Sequence, residues 1–179
     1  MSLKRAKEVI EIEAAAVKAL VKNLDRDFLK AVDAMAACKG RVVVAGMGKT
    51  GIVARKICAT LSSTGTPSIY MHSAEAVHGD LGQVTRDDVV ILISSSGETE
   101  ETGRLLPLLK KVGCRTIAMT GGLKSSLAKH CDLVVNVSVE KEGCPLGLAP
   151  MASTTATLAM GDALAACLVD RKNFKREDF

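Results

Sequence analysis

The chain has 179 residues, 47% of them hydrophobic and 25% charged, with a formal net charge of +4. That length suits one domain with a core of its own, and the balance is not that of a disordered segment. Four aromatic residues, Phe28, Tyr70, Phe174 and Phe179, are too few for stacking bases, and the Lys and Arg residues are dispersed, so no nucleic-acid partner is expected.

Cys38, Cys58, Cys114, Cys131, Cys144 and Cys167 form no Cys-x-x-Cys pair and no Cys/His ligand spacing. They read as small core residues of a reduced protein. Met1-Ser2-Leu3-Lys4-Arg5 leads into a charged amphipathic stretch rather than an apolar signal region, and no apolar run is expected to reach membrane-spanning length. The expectation is a cytoplasmic protein with no membrane partner.

Residues 3–24 place Val9, Ile12, Ala16, Leu20 and Leu24 on one helical face, and residues 27–38 read as a second helix. This helical lead, residues 1–38, either covers a sheet or forms an oligomer contact. Residues 41–46 are a first strand, and Gly48-Lys49-Thr50-Gly51 turns into a helix through about Leu61. Residues 67–71 give a second strand ending at His72. The third, 89–93, is a run of β-branched and apolar residues that enters Ser94-Ser95-Ser96-Gly97 and then a helix from Thr99 to Val112. Residues 115–120 and 132–137 are the fourth and fifth strands, with short helical stretches between strands. A last helix, 153–169, is Ala-rich with Gly161 inside it, which reads as tight helix packing. Strands alternating with helices predict an α/β fold: five parallel strands flanked by helices, a flavodoxin/Rossmann-like three-layer sandwich over residues 40–170 of a single domain, 1–179.

In such sheets ligands bind beyond the carboxyl ends of the strands. Lys49, His72, His78, the segment 94–101, Glu140 and Glu142 all follow strand ends. Four hydroxyls in six positions, Ser94, Ser95, Ser96 and Thr99, exceed what capping one helix needs. With Gly97 allowing close approach, they predict a phosphate monoester at a helix N-terminus. Gly46-Met47-Gly48-Lys49-Thr50-Gly51 matches Gly-x-Gly-x-x-Gly, yet no acidic residue ends the second strand to hold a ribose. Val43 stands where a P-loop needs glycine, so dinucleotide and nucleoside triphosphate chemistry are both disfavoured. What survives is a turn that brings Lys49 and Thr50 toward an anion. Glu98, Glu100 and Glu101 suit a helix dipole, and the sequence does not say which of them faces the crevice. The spacing of His72 and His78 is not that of a helical zinc site.

Gly46–Gly51, Gly65-Thr66-Pro67, Glu75–Gly82, Ile93–Thr99, Cys144–Pro150 and Ser153–Ala165, read together, resemble the sugar isomerase (SIS) domain family, and within it the arabinose 5-phosphate isomerases. The resemblance covers nearly all of the chain from residue 40. It implies an aldose–ketose isomerase acting on ribulose 5-phosphate and arabinose 5-phosphate, on the route to lipopolysaccharide, with no cofactor. It implies Lys49, Glu101 and Glu142 as catalytic residues, and the 94–99 loop on the phosphate. Gly48, Thr50, Gly65, Thr66, His72 and His78 would hold the rest of the substrate, and His72 would bind an inhibitory zinc. A homotetramer with shared sites is implied as well. Two departures stand out. His72-Ser73-Ala74-Glu75 replaces the family's His-Pro-Gly-Glu, and the sequence stops before a His-Pro-Gly-Gly motif and the CBS domains found in most relatives.

Isomerisation needs a base that moves a proton between neighbouring carbons through an enediolate. That role is expected of Glu142, its pKa raised by burial, with Glu101 at the hydroxyls and Lys49 on the developing negative oxygen. A non-catalytic phosphosugar-binding module and a hexulose 6-phosphate isomerase remain as alternatives.

Overall fold

The computed structural model describes residues 2–179. Five parallel strands, β1 (Val42–Gly46), β2 (Ser68–His72), β3 (Val89–Ile93), β4 (Arg115–Thr120) and β5 (Leu133–Asn136), form one sheet in the order β2-β1-β3-β4-β5. β1 and β3 are buried throughout because both faces are covered, which is why they read as unbroken apolar runs rather than alternating ones. Their side chains still alternate. Val42, Val44, Ile91, Ile93, Ile117 and Met119 face one helical layer, and Val43, Ala45, Val90, Leu92 and Ala118 face the other.

The first layer holds α2 (Arg26–Ala36), α3 (Gly48–Ser63) and α7 (Ala152–Lys172), and the second holds α4 (Ser73–Val77), α5 (Glu100–Val112) and α6 (Ser126–His130). α1 (Ser2–Ala19) lies on α7. Of the two roles open to the helical lead, α2 covers the sheet, burying Phe28, Ala31, Val32 and Met35. α1 buries only Ala16 and leaves Leu3 and Ile10 in solvent. It ends at Ala19, and a 3-10 turn, Leu20–Asn23, carries the chain onward with Leu24 46% exposed, so the single helical face expected through Leu24 is broken.

α7 corrects another expectation. By length and mean hydropathy (1.3) it could cross a membrane, yet half of its apolar window is buried among α1, α2 and α3, so it is a core helix. Gly161 explains its closeness to α3, since a Cβ there would lie 2.5 Å from Ile57 Cδ1.

At the amino ends of the strands, Asp88 is 3% exposed and accepts Arg41 N–H at 2.6 Å, Thr85 N–H at 2.7 Å and Thr85 Oγ1 at 3.1 Å, tying the entries of β1 and β3 together. Gly65 and Thr66 lie at this edge too. Thr66 Oγ1 takes Lys172 Nζ at 2.9 Å, and the space beside Gly65 is filled by the Phe174 ring. This corrects their placement with the substrate: they precede β2, so the fold puts them at the end of the sheet opposite the strand carboxyl termini.

Candidate active site

Every strand delivers polar groups at its carboxyl end. β1 runs through Met47 into α3, where Gly48 adopts φ +56° and Lys49 is exposed in the first turn. Thr50 Oγ1 is spent on the Met47 carbonyl at 2.6 Å, shaping the turn. His72 pairs in register with Gly46, so the end of β2 stands beside that turn. Its Nδ1 is buried without a partner, while His78, six residues on, is exposed. His72 belongs to no group of three or more metal-ligating side chains among the described residues, so the zinc expectation gains no ligand set here.

After β3 the chain makes the expected hydroxyl-rich loop. Ser94 is 2% exposed, its Oγ lies 2.8 Å from Thr99 Oγ1, and it accepts Gly97 N–H at 3.0 Å. Ser96 Oγ takes Glu98 N–H at 3.2 Å, and Ser95 and Ser96 are exposed. Gly97, at φ +73°, packs so closely that a Cβ would collide with Ser125 Oγ. Thr99 is the N-cap of α5, but no side chain caps that helix. The hydroxyls therefore brace the loop and leave the first-turn N–H groups of α5 without a side-chain cap. Simple capping of α5 does not account for them, since their hydrogen bonds lie within the loop.

Two parts of this loop lie beyond what the sequence pattern signals. Glu98 does not join α5. Its Oε1 accepts Ser126 N–H at 2.8 Å, which with the exposed Lys129 nearby holds its carboxyl below the usual range. The loop is thus pinned to α6, where Leu127 N–H also donates to the Gly97 carbonyl at 3.1 Å. Thr120, wholly buried at the end of β4, donates to the Ser95 carbonyl at 3.4 Å and accepts Gly122 N–H at 3.0 Å. Of the three glutamates at the start of α5, Glu100 turns away to Arg104, 2.5 Å, and Glu101 is half-buried.

Glu142, in the loop after β5, corrects the expected titration. Its Oε2 accepts Met151 N–H at 2.7 Å, and Ser153 N–H lies 3.3 and 3.4 Å from the two carboxylate oxygens. Burial pushes its carboxyl upward, but the Ser153 hydroxyl beside it and the N–H groups of Met151, Ser153 and Ala152 outweigh that, so its pKa is lowered rather than raised. Glu142 is thus the anion that caps α7. Ser153 is expected as the start of a helix and as part of the Ser153–Ala165 motif, with no role of its own, although the run Ser153-Thr154-Thr155 marks a polar helix entry.

A 710 Å³ cavity between α5 and α6, walled by Leu106, Pro107, Lys110, Cys114 and Thr116, lies away from this edge and takes in none of the expected site residues. The expected residues that the fold does gather at the strand carboxyl ends are Gly48, Lys49, Thr50, His72, the 94–99 loop, Glu101 and Glu142. His78 follows α4, one short helix removed from the end of β2.

The SIS domain profile matches residues 35–167. The chain belongs to the SIS domain family. It is 52% identical over 174 residues to arabinose 5-phosphate isomerase KdsD of Pseudomonas aeruginosa, covering 97% of this chain and 53% of that protein. It is 51% identical over 173 residues to the KdsD of Escherichia coli K12, with the same two coverages. The chain thus spans about half the length of these relatives. An Escherichia coli CFT073 protein solved in complex with arabinose 5-phosphate superimposes with a TM-score of 0.93 at 48% identity, covering 97% of this chain and 92% of that one. These likenesses account for the five-stranded parallel sheet between two helical layers that the SIS chain shows.

Proposed function

We propose that this SIS domain is the catalytic part of an aldose–ketose isomerase that interconverts ribulose 5-phosphate and arabinose 5-phosphate. The observation that carries the reading is the 94–99 loop, whose hydroxyls stiffen it while leaving the N-terminus of α5 without a side-chain cap. The similarity of nearly the whole chain to a protein solved with arabinose 5-phosphate supports the same substrate class.

In this reading Ser94, Ser95, Ser96 and Thr99, together with the free N–H groups of α5, hold the phosphate, and that remote binding energy orients the reacting carbons. Lys49, extended from the first turn of α3, stabilises negative charge on the enediolate oxygen. Glu142 takes the proton from one carbon and returns it to the next, while Glu101 serves the hydroxyls and His72 and His78 line the sugar. A lowered pKa keeps Glu142 ionised and ready at neutral pH, and makes its acid form quick to give the proton back. The abstraction is the harder half, so it depends on charge stabilisation by Lys49 and the helix ends. The exposed apolar side chains of Leu3, Ile10, Val21, Leu29 and Ile52 support assembly of copies, in the homotetramer the family resemblance implies, and a cytoplasmic setting fits the six free cysteines.

The test supplies ribulose 5-phosphate to the purified protein and follows arabinose 5-phosphate. Turnover in this direction is the expected result, with Glu142→Gln abolishing it while sugar-phosphate binding persists. Binding of neither pentose phosphate by calorimetry would overturn the reading, and turnover of a hexulose 6-phosphate alone would move it to six-carbon sugars.

A further inference from the structure

Among the described residues, two buried side-chain polar atoms lack a hydrogen-bond partner: Nδ1 of His72 and Oγ of Ser153. Unpaired buried hydroxyls are uncommon and costly, so each asks for a physical reason. Ser153 is 3% exposed and sits in the first turn of α7. Its backbone is fully engaged, with the N–H directed at both oxygens of Glu142 and the carbonyl taken by Thr157 Oγ1 at 2.7 Å. The neighbouring hydroxyls are engaged as well. Thr154 Oγ1 donates to the Met151 carbonyl at 2.8 Å, and Thr155 Oγ1 to Glu13 Oε2 at 2.8 Å. In the run Ser153-Thr154-Thr155, only the hydroxyl next to Glu142 makes no regular hydrogen bond; it lies beside the carboxylate and favours its charged form without the geometry of a bond.

We propose that Ser153 is the positioning residue of Glu142, its hydroxyl being the partner that can follow this carboxylate through both of its protonation states. The inference rests on the reading of Glu142 as the proton-carrying base. The N–H groups of Met151 and Ser153 can only donate, so they hold the carboxylate well and oppose the carboxylic acid that a base becomes in mid-reaction. A hydroxyl donates to the carboxylate, and after rotating about its C–O bond it accepts from the acid O–H. In this step a C–H bond of the substrate breaks, its electron pair passing to the enediolate, as an O–H bond forms on Glu142; the reverse occurs at the neighbouring carbon. The hydroxyl hydrogen turns away as the substrate proton arrives on Glu142, and turns back when that proton leaves.

Among the ionisable groups on the elements packed here, Glu13 of α1 accepts the Thr155 hydroxyl, Lys141 lies 3.8 Å from Glu8, Cys144 stands on the loop itself, Asp162 of α7 is paired with Lys56 of α3, and Lys49 opens α3. The backbone N–H groups of Ala149, Leu146, Leu148 and Gly147 hold the Cys144 thiol below its ordinary range. All of these groups are unaltered by a change at Ser153, so the effect of that change on Glu142 can be read cleanly.

The experiment compares Ser153→Ala and Ser153→Thr in the purified protein. The titration of Glu142 is followed by NMR of side-chain-labelled glutamate, assigned with Glu142→Gln, and kcat and KM for ribulose 5-phosphate are measured against pH. Loss of a donor to the charged form raises the pKa. Ser153→Ala is therefore expected to shift the Glu142 titration and the acid limb of kcat to higher pH. It should also lower kcat about ten-fold with KM nearly unchanged, the loss of one hydrogen bond to a charged group. Ser153→Thr keeps a hydroxyl and is expected to restore both. Should the alanine variant not fold, Ser153→Cys, a weak donor of similar size, makes the same comparison. A Glu142 titration unmoved in the variant lacking the hydroxyl, or threonine as damaging as alanine, would overturn the role of Ser153. Absence of turnover in the unaltered protein would instead refute the isomerase reading, and the NMR titration would still decide whether the hydroxyl serves Glu142.

Discussion

Ser94 does two jobs in one place. Its Oγ accepts the buried Gly97 N–H and meets Thr99 Oγ1, so it fixes both the turn and the cap position of α5. Ser94→Ala leaves the Gly97 N–H buried without an acceptor, which costs about 1–3 kcal/mol. Chemical denaturation should show that loss of stability, and calorimetry should show weaker binding of ribulose 5-phosphate. Gly97 is constrained more severely. At φ +73°, with Ser125 Oγ occupying the space a Cβ would need, Gly97→Ala should deform the loop and remove sugar-phosphate binding while the far-ultraviolet spectrum stays native. The hydroxyl pattern of this loop was legible in the sequence, because four such residues after an apolar run exceed any capping need. The side chains that brace it were not. Ser125 and Thr120 come from later segments, and only the folded sheet brings them under Gly97. Thr66 teaches the converse. A residue that precedes a strand stands at its amino end, so the strand assignment alone contradicted the substrate role that the family motif lent it.

Strand and helix ends were legible to within one residue where a hydrophobic run met a glycine or a hydroxyl, as in β1, β3, β4 and α5. The exception is α1. The spacing of Leu20 and Leu24 continues the helical period, but the helix gives way to a 3-10 turn at Leu20, a choice set by packing against β5 rather than by local pattern. The contact of α3 with α7 follows from small residues, and Gly161 is where it is closest. With Ile57 Cδ1 2.5 Å from a Cβ at that position, Gly161→Leu must push the two helices apart. An overpacked core site of this kind costs about 1–3 kcal/mol. The Lys56–Asp162 ion pair across the same contact is half-exposed and adds little to oppose that. Because α3 presents Lys49 at its first turn, the same variant should lose turnover beyond what its stability predicts. Urea denaturation alongside kinetics below the unfolding transition checks both parts.

At the scale of the molecule, the two edges of the sheet are each secured by a carboxylate that accepts backbone N–H groups. Asp88 holds the amino edge through Arg41 and Thr85, and Glu142 holds the carboxyl edge through Met151 and Ser153. In both, burial pushes the pKa upward and the hydrogen bonds win, leaving it lowered. A carboxyl whose pKa is lower folded than unfolded stabilises the fold fully above its unfolded pKa, about 4 for such groups, and that contribution is lost as pH falls through the folded value. Protonation then releases the entries of β1 and β3 at one edge and uncaps α7 at the other. These elements surround β1, so one acid transition is expected rather than a stepwise fraying. Thermal melting followed from pH 7 to pH 3 should show a nearly constant midpoint down to about pH 5 and a steepening fall below it. Asp88→Asn keeps the shape of the side chain and removes its titration. It should lower the midpoint at neutral pH and flatten the fall in acid, whereas a curve parallel to that of the unaltered protein would place the acid sensitivity in other carboxylates.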